Sequence, residues 1–267
     1  MNIYKFELRN LKKSIMIWGL AVPFALVGYM LFYPMMSGDT AAFETLMANF
    51  PEEFLAAFGM NPKLPIFSLF GYFSLTFGMI QIPIAIQASN YGFHILSVEE
   101  RELTADFLLS KPISRRKIFI SKIMAAVTSL TIVNILVWVS SIAVIMIVKG
   151  EEVVDLTNVN ILLSTTALLQ LTFFGIGMVI SVSIKKVSSV LTFSMALGFG
   201  LYIVASLGSI LSSGIFKIIS PFSHFNPGFI LINGKYEWSL AIVSVIAIVV
   251  TIPLSYFLYN KRNIASL

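Results

Sequence analysis

The stretch "EERELTADFLLSKPISRRK", Glu99 to Lys117, gathers side chains capable of chemistry that are scarce elsewhere in the chain. Glu99, Glu102 and Asp106 fall at i, i+3 and i+7, so a helix would carry all three carboxylates on one face. Leu103 and Phe107, at i and i+4, form an apolar patch beside them. Catalysis by these carboxylates would need further partners, and the sequence supplies few. There is no cysteine, which excludes thiolate nucleophiles, thiolate metal sites and disulfides. His94 and His224 lie far apart, outside any H-E-x-x-H pattern, and read as interfacial or loop residues; no G-x-S-x-G occurs either. Neither a catalytic nor a metal-ligating set can be assembled. What the stretch can do is recognise. Carboxylates and an aromatic knob on a short helix suit docking to another protein, and a solvated loop fits the same residues.

The surroundings of this stretch are apolar. Of 267 residues, 57% are hydrophobic and only 12% charged, about half the charged share of a soluble domain. Six uncharged runs stand out: 14–38, 64–98, 123–148, 156–184, 187–216 and 238–260. Each exceeds the ~20 residues that cross a bilayer as a helix. The reading is an all-α polytopic membrane protein with six transmembrane helices in one domain over residues 1–267. Nothing suggests the short alternating strands of a β-barrel.

Six spans put both termini on one side. With that side cytoplasmic, 14 of the 18 lysines and arginines lie inside, and only Lys63, Lys149, Lys217 and Lys235 lie outside. Basic loops resist translocation, so this asymmetry sets the orientation. The formal charge of +5 therefore belongs to loops at the lipid bilayer and implies no nucleic-acid partner. Residues 1–15 read as a cytoplasmic amphipathic interface helix. Tyr4, Leu8, Leu11 and Ile15 recur at helical spacing, beside Lys5, Arg9, Lys12 and Lys13, which would meet anionic headgroups. The apolar run that follows exceeds the ~7–15 residues of a signal-peptide core, so no removable leader is expected. Residues 40–58 read as a short amphipathic helix on the outside. Residues 216–237, rich in proline, glycine and aromatics, read as an extracellular loop or a re-entrant element. Pro23 and Pro83 are expected to kink the first two spans.

Pro112 discourages helix at Lys111, and Ser114 suits the N-cap of the helix that follows. Glu99, Glu100, Thr104, Asp106, Leu108, Leu109, Pro112, Ile113, Ser114 and Arg115 together resemble the first cytoplasmic loop of ABC transporter permeases of the type-2 exporter group. Leu103 departs from the pattern, since many members carry glycine before the threonine. The six spans, inward termini and basic N-terminal helix extend the resemblance along the chain. It implies that residues 98–117 form a coupling helix seated in a groove of a separate ATP-binding cassette subunit. Glu99, Glu100, Arg101, Glu102, Leu103, Thr104, Asp106, Phe107 and Leu108 would be the docking residues. It also implies a second permease copy, identical or merely similar, and export across a bacterial plasma membrane. On this reading the chain is no enzyme and holds no cofactor, while ATP and magnesium sit in the partner subunit. In keeping with that, no P-loop is found. "GFILINGKY", Gly228 to Tyr236, has one residue too many and ends in tyrosine.

No charged residue lies mid-span, which argues against proton- or ion-coupled transport by the chain alone. Gln81, Asn134 and Gln170, nearest the span centres, are the candidates for lining a substrate path, with interhelical hydrogen bonding as the plainer account of each. A path so poor in charge suits an amphipathic or hydrophobic cargo: a peptide, a drug or a lipid-like molecule. On the fifth span, Ser194 and Gly198, and Ala205 and Ser209, stand four apart, a spacing for close packing within the chain or against a second copy. Two rivals differ in class. A membrane hydrolase would need an intramembrane nucleophile and base, which are missing. A non-transporting anchor or sensor subunit that recruits an ATPase would share the docking loop.

Overall fold

The computed structural model describes residues 3–38, 49–51, 55, 60, 63–102, 113–151 and 153–262. In lipid every backbone polar group must find an internal partner, and helices answer that requirement. In chain order they are α1 (Ile3–Met30), α2 (Tyr33–Gly38), α3 (Leu69–Arg101), α4 (Arg115–Val148), α5 (Thr157–Ser183), α6 (Val190–Ile210), α7 (Gly214–Ile219), α8 (Pro221–His224), α9 (Pro227–Asn233) and α10 (Trp238–Lys261). Six stretches are long and apolar enough to cross a membrane: α1 with α2, then α3, α4, α5, α6 and α10. Side-chain caps fix several starts. Ser68, Ser114 and Ser189 accept hydrogen bonds from the backbone N–H groups of Gly71, Lys117 and Thr192. Asp155 serves α5 from just upstream, accepting from the Thr157 hydroxyl at 2.6 Å and backbone N–H at 2.8 Å. Those two bonds hold its carboxyl below the usual range.

The spans form two close pairs, α1 with α4 and α3 with α5; α10 packs on α5, and α6 on α3. α3 and α5 are the most enclosed, whereas α1, α6 and α10 expose most of their apolar surface. Glycine permits the α3–α5 contact. A Cβ at Gly92 would lie 2.3 Å from the Phe174 carbonyl oxygen, and one at Gly177 would lie 2.9 Å from that of Ser89. Close backbone packing of this kind holds helices together in lipid, where apolar burial no longer drives association.

The N-terminal segment differs from expectation. No break separates residues 3–15 from the first span, and the interface helix expected over 1–15 is, from Ile3 on, the first turns of a continuous α1. No proline or glycine interrupts α1 before Gly19, so the helix has no reason to end. Its amphipathic pattern is present: Leu11 is buried, Tyr4, Leu8 and Ile15 pack against the core, and Lys5, Arg9, Lys12 and Lys13 are exposed. α1 and α3 run on helically through Pro23 and Pro83. The helix expected over 40–58 lies almost wholly outside the described residues.

Between α6 and α10 the chain turns back into the helix bundle. Phe222 packs its ring on Phe173 at 5.1 Å and on Tyr202 at 5.7 Å. Phe173 lies roughly 24 Å along α5 from Thr157, at 1.5 Å per residue, so α8 sits well inside the Thr157 end of α5. Protein groups satisfy this buried turn, as membrane depth demands. The Ser220 hydroxyl donates to the Leu201 carbonyl at 2.7 Å, and the Gln81 amide donates to that of Phe225 at 2.9 Å. His224 meets the Ser244 hydroxyl at 2.7 Å and the Ile218 carbonyl at 2.9 Å. It is a buried stitch rather than an interfacial or loop histidine.

Candidate functional site

The roots of the polar loop carry the densest charge chemistry among the described residues. Lys122 sits about two turns into α4, on the face shared by the buried Ile118, Ala125, Ala126 and Ser129. Its side chain is fully enclosed, with three partners: Glu99 at 2.5 Å, Glu7 at 3.6 Å and the Ile95 carbonyl at 2.7 Å. Removing a charge from water costs on the order of several kcal/mol even after relaxation, so such a lysine persists only where carboxylates surround it. The dependence is mutual. Glu99 lies at the C-terminal end of α3, where the helix dipole opposes a negative charge and a cation offsets it. This cluster ties α1, α3 and α4 together.

Glu100, the next residue, is held from the other side. Arg262, immediately beyond α10, places Nε and Nη2 on its two carboxylate oxygens, each at 2.6 Å. A planar guanidinium matches a carboxylate in this two-pronged geometry, and such pairs are among the stronger hydrogen-bonded ones. The same guanidinium donates to the carbonyls of Ser181 at 3.3 Å, Val182 at 2.8 Å, Ile184 at 2.8 Å and Lys185 at 2.9 Å. Carbonyls at the end of a helix lack intrahelical donors, and Arg262 caps those ending α5. Arg115, the first residue of α4, caps α10 in turn through the carbonyls of Tyr259, Asn260 and Arg262 at 3.4, 3.2 and 3.0 Å. The ends of α1, α3, α4, α5 and α10 on this side of the bundle therefore meet at the roots of the loop.

Against the docking residues read from the sequence, the structure makes a clear division. Glu99 and Glu100, expected on an exposed docking face, are engaged within their own chain, at 13% and 18% side-chain exposure. Arg101 folds back onto His94, with Nη2 and Nδ1 at 3.1 Å. Glu102 is exposed. Leu103, Thr104, Asp106, Phe107 and Leu108 lie outside the described residues. Sequence reasoning missed Lys122, Arg262 and Glu7. Lys122 occupies the apolar register 118, 122, 125, 129, a signal in the sequence that it faces inward.

The match to known proteins spans this entire arrangement. Residues 1–264 match the family described as ABC-2 family transporter protein. The chain belongs to the ABC-2 transporter family. No curated protein matches it. As an ABC-2 protein with six membrane-crossing helices, it is a multi-pass membrane permease subunit of an ABC transporter.

Within this ABC-2 subunit two of the three path candidates meet each other, and the third is bonded elsewhere. Gln81 is committed to the turn after α6 through the Phe225 carbonyl. Asn134 donates to the Gln170 amide oxygen across α4 and α5 at 3.4 Å, a long bond. Gln87 is fully buried beside the Tyr91 hydroxyl, which Ser14 also approaches, while the Thr166 hydroxyl and the Gln170 amide nitrogen have no hydrogen-bond partner among the described residues. Each such atom costs about 1–3 kcal/mol.

The small-residue pairs on α6 also divide. Ser194 and Gly198 are buried against α3 of the same chain. The Ser89 hydroxyl donates to the Ser194 carbonyl at 3.4 Å, and a Cβ at Gly198 would come within 2.6 Å of Ile86 Cγ1. They are taken by packing within the chain and are not open to a second copy. Ala205 and Ser209 are half-buried. The outward face of α6 presents large residues instead: Leu191, Met195, Phe199, Ile203 and Leu207, each four apart and exposed.

Proposed function

We propose that this ABC-2 subunit exports an amphipathic or hydrophobic cargo from a bacterial cell, driven by a separate ATP-binding subunit that docks on residues 98–117. ATP and magnesium would be held in that partner. What carries the reading is the construction of the loop's base. Glu99 is fixed through Lys122 to α1 and α4, and Glu100 through Arg262 to the ends of α5 and α10. A push on the loop tip is then resisted by five helix ends rather than absorbed by a flexible hinge. The docking face is thereby redrawn: Glu99 and Glu100 anchor the loop, and its tip at Thr104, Asp106, Phe107 and Leu108 meets the partner. Neutral but polar groups left unpaired inside, with no charge mid-span, favour a cargo that is greasy yet able to hydrogen-bond. A second permease copy, identical or similar, would meet the Leu191–Leu207 ridge of α6.

The test is co-reconstitution with the ATP-binding subunit in proteoliposomes, following ATP-dependent movement of a fluorescent amphipathic peptide. Asp106→Arg with Phe107→Ala leaves the ion-paired base intact. It is expected to cut transport about tenfold or more, equivalent to ~1.4 kcal/mol of lost coupling, with the unfolding midpoint unchanged. Undiminished transport would sink the docking assignment. A bound, active ATPase with no cargo flux would favour the anchor reading instead.

A further inference from the structure

A polar cleft of about 210 Å³ opens between the arms of the turned-back segment, where α6 ends and α10 begins. It is lined by Ser209, Lys217, Ser223, Asn226, Phe229 and Glu237. Lys217 and Glu237 bring opposite charges to one small cleft, yet neither joins an ion pair among the described residues. Opposite charges held apart across a cleft offer separate sites for the anionic and cationic ends of one ligand. Asn226 spends its carbonyl oxygen on the Phe229 backbone N–H at 2.9 Å, which leaves its amide hydrogens as donors.

The surroundings select the kind of ligand. A Cβ at Gly208 would lie 3.3 Å from the Lys217 backbone nitrogen, so Lys217 stands within a turn of the end of α6 at Ile210. Glu237 immediately precedes α10. The cleft thus lies at the outer boundary of the membrane-crossing helices. Its rim is apolar. Ile215, Ile218 and Ile219 share one face of α7 at i, i+3 and i+4 and are exposed, and Trp238 is 63% exposed in the first turn of α10. Tryptophan at a helix end settles at headgroup level.

We propose that this cleft binds the headgroup of an outer-leaflet phospholipid that carries both a phosphate and a primary amine. Lys217 and Asn226 take the phosphate, Glu237 takes the amine, and the acyl chains lie in the bilayer beside Trp238. The site does not depend on the cargo or direction of transport.

Native mass spectrometry of the full chain in an uncharged glycoside detergent tests this, titrating phosphatidylethanolamine, phosphatidylglycerol, phosphoethanolamine and a short zwitterionic peptide in turn. Phosphatidylethanolamine is expected to bind saturably. Lys217→Met and Glu237→Gln should each weaken it about tenfold, the effect of losing one charge-assisted hydrogen bond. Phosphatidylglycerol, which lacks the amine, should respond to Lys217→Met and not to Glu237→Gln. Glu237 makes no side-chain capping bond, so its substitution leaves the start of α10 intact. Phosphatidylethanolamine binding that ignores both substitutions would overturn the proposal. So would free phosphoethanolamine, or the peptide, binding as tightly as the lipid.

Discussion

Lys122→Met is expected to destabilise the subunit by about 3–5 kcal/mol, the usual cost of deleting one partner from a buried ion pair. Methionine fills the lysine's volume, so the loss comes from charge and not from a cavity. It leaves Glu7 and Glu99 facing each other without their cation, and it deprives the Ile95 carbonyl of its donor. The effect should be visible as a fall in the midpoint of thermal unfolding in detergent. It should also be reversible by design. Adding Glu7→Gln and Glu99→Gln removes the stranded charges and is expected to recover most of the lost stability. A Lys122→Met midpoint equal to that of the parent would mean the cluster is hydrated and weak. Failure of the triple variant to recover would mean that Lys122 acts through packing instead.

Arg262→Ala should have a different signature. Two pairings vanish together: the two-pronged grip on Glu100 and the capping of the last α5 carbonyls. The stability cost is smaller than at Lys122, about 1.5–3 kcal/mol, because the site is partly exposed. The functional cost is expected to be larger. The Glu100 root of the loop is released, so the ATP-binding subunit can still dock and hydrolyse ATP while transport falls roughly tenfold to a hundredfold, or ~1.4–2.8 kcal/mol of coupling. Glu100→Gln should be milder, since Arg262 then keeps its four carbonyls. Measuring hydrolysis and cargo flux in the same proteoliposomes separates these outcomes. Parallel loss of both activities would point to lost docking, and unchanged flux would remove Arg262 from the transmission path.

Much of this architecture was legible in the sequence, for physical reasons. Apolar runs longer than a bilayer's thickness can be read from composition along the chain, and six helices long and apolar enough to cross a membrane are found among the described residues. Ser114 was readable as a cap because the turn chemistry before it is local. Pairings across the bundle were not. Nothing near Glu100 in sequence announces Arg262, and these two residues meet only once six helices have returned to the same end. The role of Glu7, a lone acid in a basic segment, appears only beside Lys122. Polar residues mid-span were equally ambiguous. Gln81 and Gln87 have the same chemistry and lie on the same helix, but one stitches the turn after α6 while the other lies beside the Tyr91 hydroxyl. The small-residue pairs on α6 announce a close contact without naming the partner. For Ser194 and Gly198 that partner is α3.

The central claim is that the loop tip projects into the cytoplasm and is covered there by an ATP-binding subunit. The chain has no cysteine, so Phe107→Cys introduces a single reactive thiol. A membrane-impermeant thiol reagent should fail to label it in intact cells and should label it in inverted vesicles. Adding the ATP-binding subunit to those vesicles should then suppress the labelling. Labelling from outside intact cells, or labelling in inverted vesicles that the ATP-binding subunit leaves unchanged, would contradict the account.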